Sequence, residues 1–147
     1  MAMTPAIPHE GRTVARYTLA SGQTPLEGGA VYLSSGELTV CGADPAAVLG
    51  FAAHDYPGAL ALDPYDGDML VFVAKAGSTF WISGSTDPSD YSTVGGQYGA
   101  AHEATTEVTY LDLTEATALV FTVHDVDLTR KLYLVSIIGS VRQADAV

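Results

Sequence analysis

Short apolar stretches alternate with turn residues along most of the chain. From Arg12 onward, turn signals recur at intervals of about 8–12 residues, the spacing typical of β-sandwiches and β-barrels. The clearest stretch is Met-Leu-Val-Phe-Val-Ala at 69–74, which follows a Tyr-Asp-Gly-Asp turn. The stretches that predict strands are 13–20, 30–33, 37–41, 48–53, 69–74, 79–82, 107–113, 118–124 and 131–138. The pattern therefore predicts an all-β fold of eight or nine strands, either a small β-barrel or a sandwich.

Two segments depart from this rhythm. Residues 1–11 contain Pro5 and Pro8, which lack amide donors and bias the residues before them away from helix, so we expect an extended N-terminal arm. Residues 84–105 form a long polar stretch without a good strand pattern, and loops of this length are usually functional or disordered. We therefore divide the chain into an extended arm, 1–11, and a single β domain, 12–147, with a long polar loop at 84–105.

The chain is strongly acidic, with 17 Asp and Glu residues against six Lys and Arg residues and a formal net charge of −11. Such a surface repels phosphate backbones and anionic lipids, so we expect neither a nucleic-acid partner nor a membrane partner. No apolar run reaches the length of about 18 residues that a membrane-spanning helix needs. The start of the chain lacks the pattern of a signal peptide, and a single cysteine excludes an internal disulfide. We therefore expect synthesis in a reducing cytoplasm.

The basic residues are concentrated near the two ends of the sequence. Lys75 is the only base between residues 17 and 129. If the terminal strands pair, the molecule has one mildly basic end and an acidic body, an arrangement suited to binding an oriented surface. Alternatively, the bases pair with nearby acids such as Asp127 and Asp145.

No arrangement of side chains typical of catalysis is present in the sequence. The four histidines show none of the spacings that build a local zinc site. The acidic turn at 63–68 lacks the ligand spacing of an EF-hand calcium loop. Cys41 lies in an apolar stretch, where a small core residue is expected, and no Gly-x-Ser-x-Gly elbow or phosphate-binding glycine loop occurs. We therefore predict no enzyme activity, no metal and no cofactor.

Two parts of the chain resemble tailed-bacteriophage capsid decoration proteins, also called cement or head-stabilising proteins. The first reads Leu-Glu-Gly-Gly-Ala-Val-Tyr-Leu-Ser-Ser-Gly-Glu-Leu-Thr-Val-Cys at 26–41 and continues to Val-Leu-Gly-Phe-Ala at 48–52. The second reads Gly-Asp-Met-Leu-Val-Phe-Val-Ala at 67–74, followed by Gly-Ser-Thr-Phe-Trp at 77–81. Both are similar to strand-and-turn phrases of these proteins, and the resemblance covers residues 26–82.

The resemblance implies a small β-barrel or β-tulip fold and a structural virion protein that binds and stabilises the outer surface of an expanded phage capsid. Its partners would be the major capsid protein and further copies of itself, in a homotrimer, on the capsid surface after synthesis in the host cytoplasm. Such proteins often staple neighbouring capsid subunits with an extended terminal arm, which can add a strand to a neighbouring sheet. The candidate capsid-binding residues are those of the arm and the two bases that follow it: Pro5, Ile7, Pro8, Arg12 and Arg16.

A small-ligand or carbohydrate-binding β module is the alternative function. Such a module presents an exposed aromatic platform, and Trp81 with Tyr91 and Tyr98 could form one. Trp81 also fits a core position, because it lies between Phe80 and Ile82 in an apolar stretch.

Overall fold

Eleven β-strands form the fold in a computed structural model, which describes residues 3–56 and 68–146. The strands are β1 (Ile7–Glu10), β2 (Val14–Thr18), β3 (Ala30–Ser34), β4 (Glu37–Val40), β5 (Gly50–Ala52), β6 (Asp68–Val73), β7 (Thr79–Ile82), β8 (Gln97–His102), β9 (Thr109–Asp112), β10 (Phe121–Asp127) and β11 (Leu132–Ile137). A short 3₁₀ helix, Gln143–Ala146, follows the last strand. Within the described ranges, no helix is long and apolar enough to cross a membrane. The acidic turn considered for calcium lies outside the described residues except for Asp68.

The strands form two antiparallel sheets, consistent with a β-sandwich. One sheet has six strands in the order β1-β7-β11-β10-β8-β9, and the other has five in the order β2-β6-β5-β3-β4. The prediction of an all-β fold is confirmed, and each of the nine predicted strand stretches contains a strand. The prediction of a closed barrel is wrong. Isolated bridges at Leu19–Leu38 and Gly84–Leu111 bring the ends of each sheet together, but neither bridge extends into a ladder that would close a barrel.

The central strand of the five-stranded sheet, β5, is buried on both of its faces. Phe51 belongs to the cluster between the sheets, where its ring centroid lies 4.9 Å from that of Phe80 and 6.5 Å from that of Phe121. Ala52, on the opposite face, belongs to a second cluster that includes Met69, Val71 and Val73 of β6. Along β6 burial alternates, so the residues between these three are only half-buried.

The six-stranded sheet buries only its inner face. Along β7, Phe80 and Ile82 are buried, whereas Thr79 and Trp81 alternate with them and are half-buried. Burial alternates in the same way along β11 from Tyr133 to Ile137. Its pairing with β10 contains a register shift between Val123 and Asp125. The outer face of this sheet is therefore the larger continuous sheet surface that side chains present to solvent.

The N-terminal segment is not the free arm that its prolines predict. Ile7–Glu10 forms β1, which pairs antiparallel with β7 at the edge of the six-stranded sheet. The preceding residue, Ala6, is buried in the core between the sheets, and the Thr4 amide donates a hydrogen bond of 2.9 Å to Ser83 Oγ. Pro8 is compatible with this position because an edge strand needs hydrogen-bond partners on one side only.

The predicted loop at 84–105 is shorter than its polarity suggests. Gln97–His102 forms β8, which pairs with both β9 and β10. The remaining connection, 85–96, is tied to the sheet by a 2.8 Å hydrogen bond from the Gly95 amide to the Val123 carbonyl. The Tyr133 hydroxyl donates a further 2.8 Å hydrogen bond to the Thr86 carbonyl. The sequence of β8 escapes notice because Gly99 and two alanines give it little strand preference.

Candidate interaction surface

A tryptophan marks the outer face of the six-stranded sheet. Trp81 of β7 lies between two apolar residues of the neighbouring strands, with Ile7 of β1 on one side and Leu134 of β11 on the other. Alternation along β7 places Trp81 on the face opposite the buried Phe80 and Ile82. The core position that the apolar stretch also allows for Trp81 is therefore not the one it occupies.

The side chains of His9 and Arg130 flank the indole ring of Trp81. The His9 ring approaches it edge-on, with the centroids 5.7 Å apart, and the Arg130 guanidinium carbon lies 5.0 Å from the ring centroid. Arg130 is held in place by its Nε, which donates a 2.7 Å hydrogen bond to Asp127 Oδ2. Hydrogen bonds from the amide and guanidinium of Arg130 lower the pKa of the Asp127 carboxyl, so the pair stays charged in mildly acidic solution. We call Ile7, His9, Trp81, Arg130 and Leu134 the Trp81 surface.

Hydrogen-bonded polar residues border the Trp81 surface on the same sheet. His124 Nε2 lies 2.7 Å from Ser136 Oγ, and Gln97 Nε2 donates a 3.3 Å hydrogen bond to Thr122 Oγ1. An apolar centre with Trp and Arg, surrounded by polar side chains, is the composition of protein-binding hot spots. The surface is an open sheet face without a concave cleft, so its geometry suits a protein partner better than a small molecule.

The strand β1 also offers an uncovered edge. It pairs with β7 on one side, and no residue in 3–56 or 68–146 forms a backbone hydrogen bond with its other side. Ile7 is 38 % exposed there. Pro8 shortens the run of amide donors along this strand, which limits uncontrolled pairing of the edge.

The structure separates the five residues that the sequence nominates for capsid binding. Pro5 packs against the backbone of Gly28, Ile7 lies on the Trp81 surface, and Pro8 is half-buried opposite Phe80. By contrast, the guanidinium of Arg12 lies 5.5 Å from the ring centroid of Phe72 on the other sheet, and Arg16 belongs to β2. Ile7 and Pro8 therefore lie in the six-stranded sheet, Pro5 lies beside Gly28, and Arg12 and Arg16 lie with the five-stranded sheet.

Sequence reasoning missed three members of the Trp81 surface: His9, Arg130 and Leu134. Their contacts join β1, β7 and the turn before β11, which are far apart in the sequence. The alternation along Thr79–Ile82 is the one feature of the sequence that indicates an outward-facing Trp81. It places the tryptophan on the face of the strand away from Phe80 and Ile82, which are the residues most suited to a core.

The three aromatic residues considered for a carbohydrate platform do not lie together. Trp81 is on β7, and Tyr98 is on β8, three strands further across the sheet, where it packs against the core between the sheets. Tyr91 lies in the connection between these strands and is 59 % exposed. Since Arg130 already lies over the ring of Trp81, the arrangement does not favour stacking of a sugar on that ring.

No metal-binding or nucleophilic centre accompanies these residues in the described part of the chain. Residues 3–56 and 68–146 contain no group of three or more His, Cys, Asp or Glu side chains that could hold a metal ion. Cys41 is buried beside a surface depression of about 300 Å³, and burial raises the pKa of its thiol to about 12. A thiol with this pKa is protonated at neutral pH and is therefore a poor nucleophile.

The Trp81 surface and the β1 edge are the features that a partner protein could recognise. Comparison of the chain with protein-family models, with curated proteins and with solved structures finds no match.

Proposed function

We propose that the chain is a decoration protein that binds the outer surface of a tailed-phage capsid through the Trp81 surface. The observation that carries the proposal is Trp81 itself, a large aromatic side chain that is half-exposed on an open sheet and flanked by Ile7 and Arg130. The resemblance of residues 26–82 to capsid decoration proteins supplies the identity of the partner, the major capsid protein. Self-association into a homotrimer belongs to the same proposal.

The chemistry of the surface supports attachment to a large, rigid protein. Tryptophan and arginine contribute more binding energy at protein interfaces than most other side chains. Here the arginine is held by Asp127, so little side-chain entropy is lost when a partner covers it. The strands β7 and β11 lie in the interior of the sheet, which fixes Trp81 and Leu134 on a rigid framework.

The proposal can be tested by co-sedimentation with expanded, undecorated heads of a tailed phage that encodes this chain beside a major capsid protein. We expect the wild-type protein to saturate the heads at a fixed ratio. Ile7→Asp places a charge within the apolar centre of the surface, and we expect it to weaken binding by roughly tenfold or more. The matched control is Ala43→Asp, which adds the same charge at an exposed position in the connection between β4 and β5 and should bind like the wild type.

Two results would contradict the proposal. One is the absence of co-sedimentation by the folded wild-type protein. The other is equal binding by Ile7→Asp and wild type, which would move the attachment site away from the Trp81 surface. Binding of the wild type to a polysaccharide array instead of the heads would favour a carbohydrate-binding module.

A further inference from the structure

Basic and apolar residues meet where β2 forms the edge of the five-stranded sheet. Val14 is 43 % exposed, and it lies on the same face of β2 as Arg16. The guanidinium of Arg12 lies over Phe72, which is the register partner of Val14 on β6. We call Arg12, Val14, Arg16 and Lys75 the basic flank.

A hydrogen-bonded serine joins the two turns that carry Arg12 and Lys75. Ser78 Oγ accepts a 3.1 Å hydrogen bond from the Lys75 amide and donates a 3.0 Å hydrogen bond to the Gly11 carbonyl. The turn between β1 and β2 and the turn between β6 and β7 therefore lie side by side. Half of the six Lys and Arg residues in the chain are in the basic flank.

An acidic surface with exposed apolar residues lies in the connection between β7 and β8. It contains Asp87 and Asp90 together with Tyr91 and Val94, two of the four exposed large hydrophobic residues in 3–56 and 68–146. Hydrogen bonds from Ser92 lower the pKa of the Asp90 carboxyl and fix the turn that holds it. No Lys or Arg occurs between residues 76 and 129. We call Asp87, Asp90, Tyr91 and Val94 the acidic loop.

The basic flank and the acidic loop belong to different parts of one copy of the chain. The flank is at the edge of the five-stranded sheet, at β2 and the neighbouring turns. The acidic loop is tied to the six-stranded sheet, through the bond from Gly95 to Val123 of β10 and the bond from Tyr133 of β11 to Thr86. The flank has cationic side chains beside the exposed Val14, and the acidic loop has carboxylates beside the exposed Tyr91 and Val94, so these side chains are opposite in charge.

We propose that the basic flank of one copy binds the acidic loop of a second copy. The occupant of each surface is thus another copy of this chain, and the argument is their complementary charge and their matching apolar residues, Val14 on the flank and Tyr91 and Val94 on the loop. The contact is head-to-tail, because two different surfaces meet, and such contacts give closed rings when the rotation between copies closes. This inference deepens the self-association in the proposed function, but its test needs no capsid, so the two can fail separately.

The first experiment measures self-association of three double variants by light scattering and sedimentation. Asp87→Lys with Asp90→Asn alters the loop and keeps the Asn oxygen as an acceptor for the Ser92 amide. Arg12→Glu with Lys75→Glu alters the flank. The control for the loop variant, Glu37→Lys with Asp55→Asn, makes the same charge changes elsewhere. Glu37 is exposed, and Asp55 Oδ1 also accepts a hydrogen bond from a backbone amide, that of Glu27.

We expect the wild-type protein and the control to form the same oligomer. Each of the other two variants should raise the dissociation constant by roughly tenfold or more, because like charges then face each other across the contact. Raising the NaCl concentration from about 50 mM to about 500 mM should weaken the wild-type oligomer, since salt screens exposed charges. A monomeric wild-type protein, or an oligomer that is as stable in both variants as in the control, would overturn the inference.

Mixing the loop variant with the flank variant distinguishes this contact from a symmetric one. The loop variant retains a normal flank, and the flank variant retains a normal loop, so an equimolar mixture has one intact head-to-tail contact per pair. The altered loop and the altered flank also carry opposite charges, so we expect the mixture to form assemblies that neither variant forms alone. If the mixture gives no assembly that the separate variants lack, the head-to-tail contact is refuted.

Discussion

In the five-stranded sheet, the central strand β5 is buried on both faces, with Phe51 and Ala52 in different apolar clusters, whereas in the six-stranded sheet β7 buries one face and presents Trp81 on the other. The five-stranded sheet also bends until Leu19 and Leu38 of its two edges form a bridge. A sheet that is covered on both faces has little room for a partner. The open face of the six-stranded sheet is therefore the better place for a binding surface.

The carboxylates with lowered pKa values also differ between the two sheets. Hydrogen bonds lower the pKa of four acids, and all four lie in connections or at strand ends of the six-stranded sheet: Asp90, Glu103, Glu115 and Asp127. In each case the hydrogen bonds come from residues two or three positions further along the chain. The six-stranded sheet thus carries turns that are fixed by ionised side chains, while the five-stranded sheet depends mainly on apolar packing.

The largest expected effect is the loss of unfolding free energy when a residue in the core between the sheets is truncated, compared with truncation of a residue on the open face. Phe51→Ala removes a fully buried ring that contacts Phe80, and we expect it to lower the free energy of unfolding by about 3–5 kcal/mol. Trp81→Ala removes a half-buried ring, and we expect a loss of about 1–2 kcal/mol. Urea denaturation of both variants measures the difference. A loss for Trp81→Ala as large as that for Phe51→Ala would show that the outer face is structural.

A smaller effect tests whether the N-terminal segment is part of the fold. A Cβ added at Gly28 would lie 2.6 Å from Pro5 Cα, and the φ of Gly28 is +84°. We expect Gly28→Ala to cost about 2–5 kcal/mol, from backbone strain together with this clash. Thermal and urea denaturation provide the measurement.

Gly22→Ala is the matched control for this prediction. Gly22 has a φ of +82°, and an added Cβ would meet no atom within 4 Å, so only the backbone strain of about 1–2 kcal/mol is expected. Deleting residues 1–6 removes Pro5, and in that background the cost of Gly28→Ala should fall to that of Gly22→Ala. An unchanged cost for Gly28→Ala after the deletion would mean that Pro5 does not pack there in solution.

The smallest expected effect concerns acid stability in the turn between β9 and β10. Hydrogen bonds from the Thr117 hydroxyl and from the amides of Ala118 and Thr117 lower the pKa of Glu115 from 4.5 to about 2. Because the pKa is lowered in the folded state, the stabilisation is present above about pH 4.5 and is lost as the pH falls toward 2. Glu115→Gln should therefore melt at a lower temperature than the wild type at pH 7, and this difference should shrink between pH 4.5 and 2.

The control for Glu115 is Glu37→Gln on the five-stranded sheet. Within the described residues, the Glu37 carboxylate accepts no hydrogen bond from a neighbouring turn, so we expect a smaller change in melting temperature at pH 7. A Glu115→Gln difference that stays constant from pH 7 to pH 2 would show that the glutamate acts through packing and not through its charge.

The residues of the Trp81 surface are harder to predict from the sequence than the strands are. Trp81 and Ile7 are both candidates from the sequence. The residues that surround the indole ring, His9 and Arg130, lie about 70 and 50 residues from Trp81 in the sequence. Nothing local in those segments indicates a tryptophan as their neighbour. The prolines of the N-terminal segment were also misleading, since Pro8 is equally compatible with a free arm and with an edge strand.

The sequence by itself determined the all-β class and the positions of nine strands. Apolar stretches of four to eight residues and turns such as Ser34-Ser-Gly36, where Ser35 and Gly36 adopt positive φ angles, depend on residues that are adjacent in the chain. Only the tertiary structure decided that Ile7–Glu10 pairs with β7, that Gln97–His102 forms a strand, and that Trp81 faces outward. These features depend on contacts between distant segments, whose free energy outweighs the weak local preference of a short polar or glycine-containing stretch.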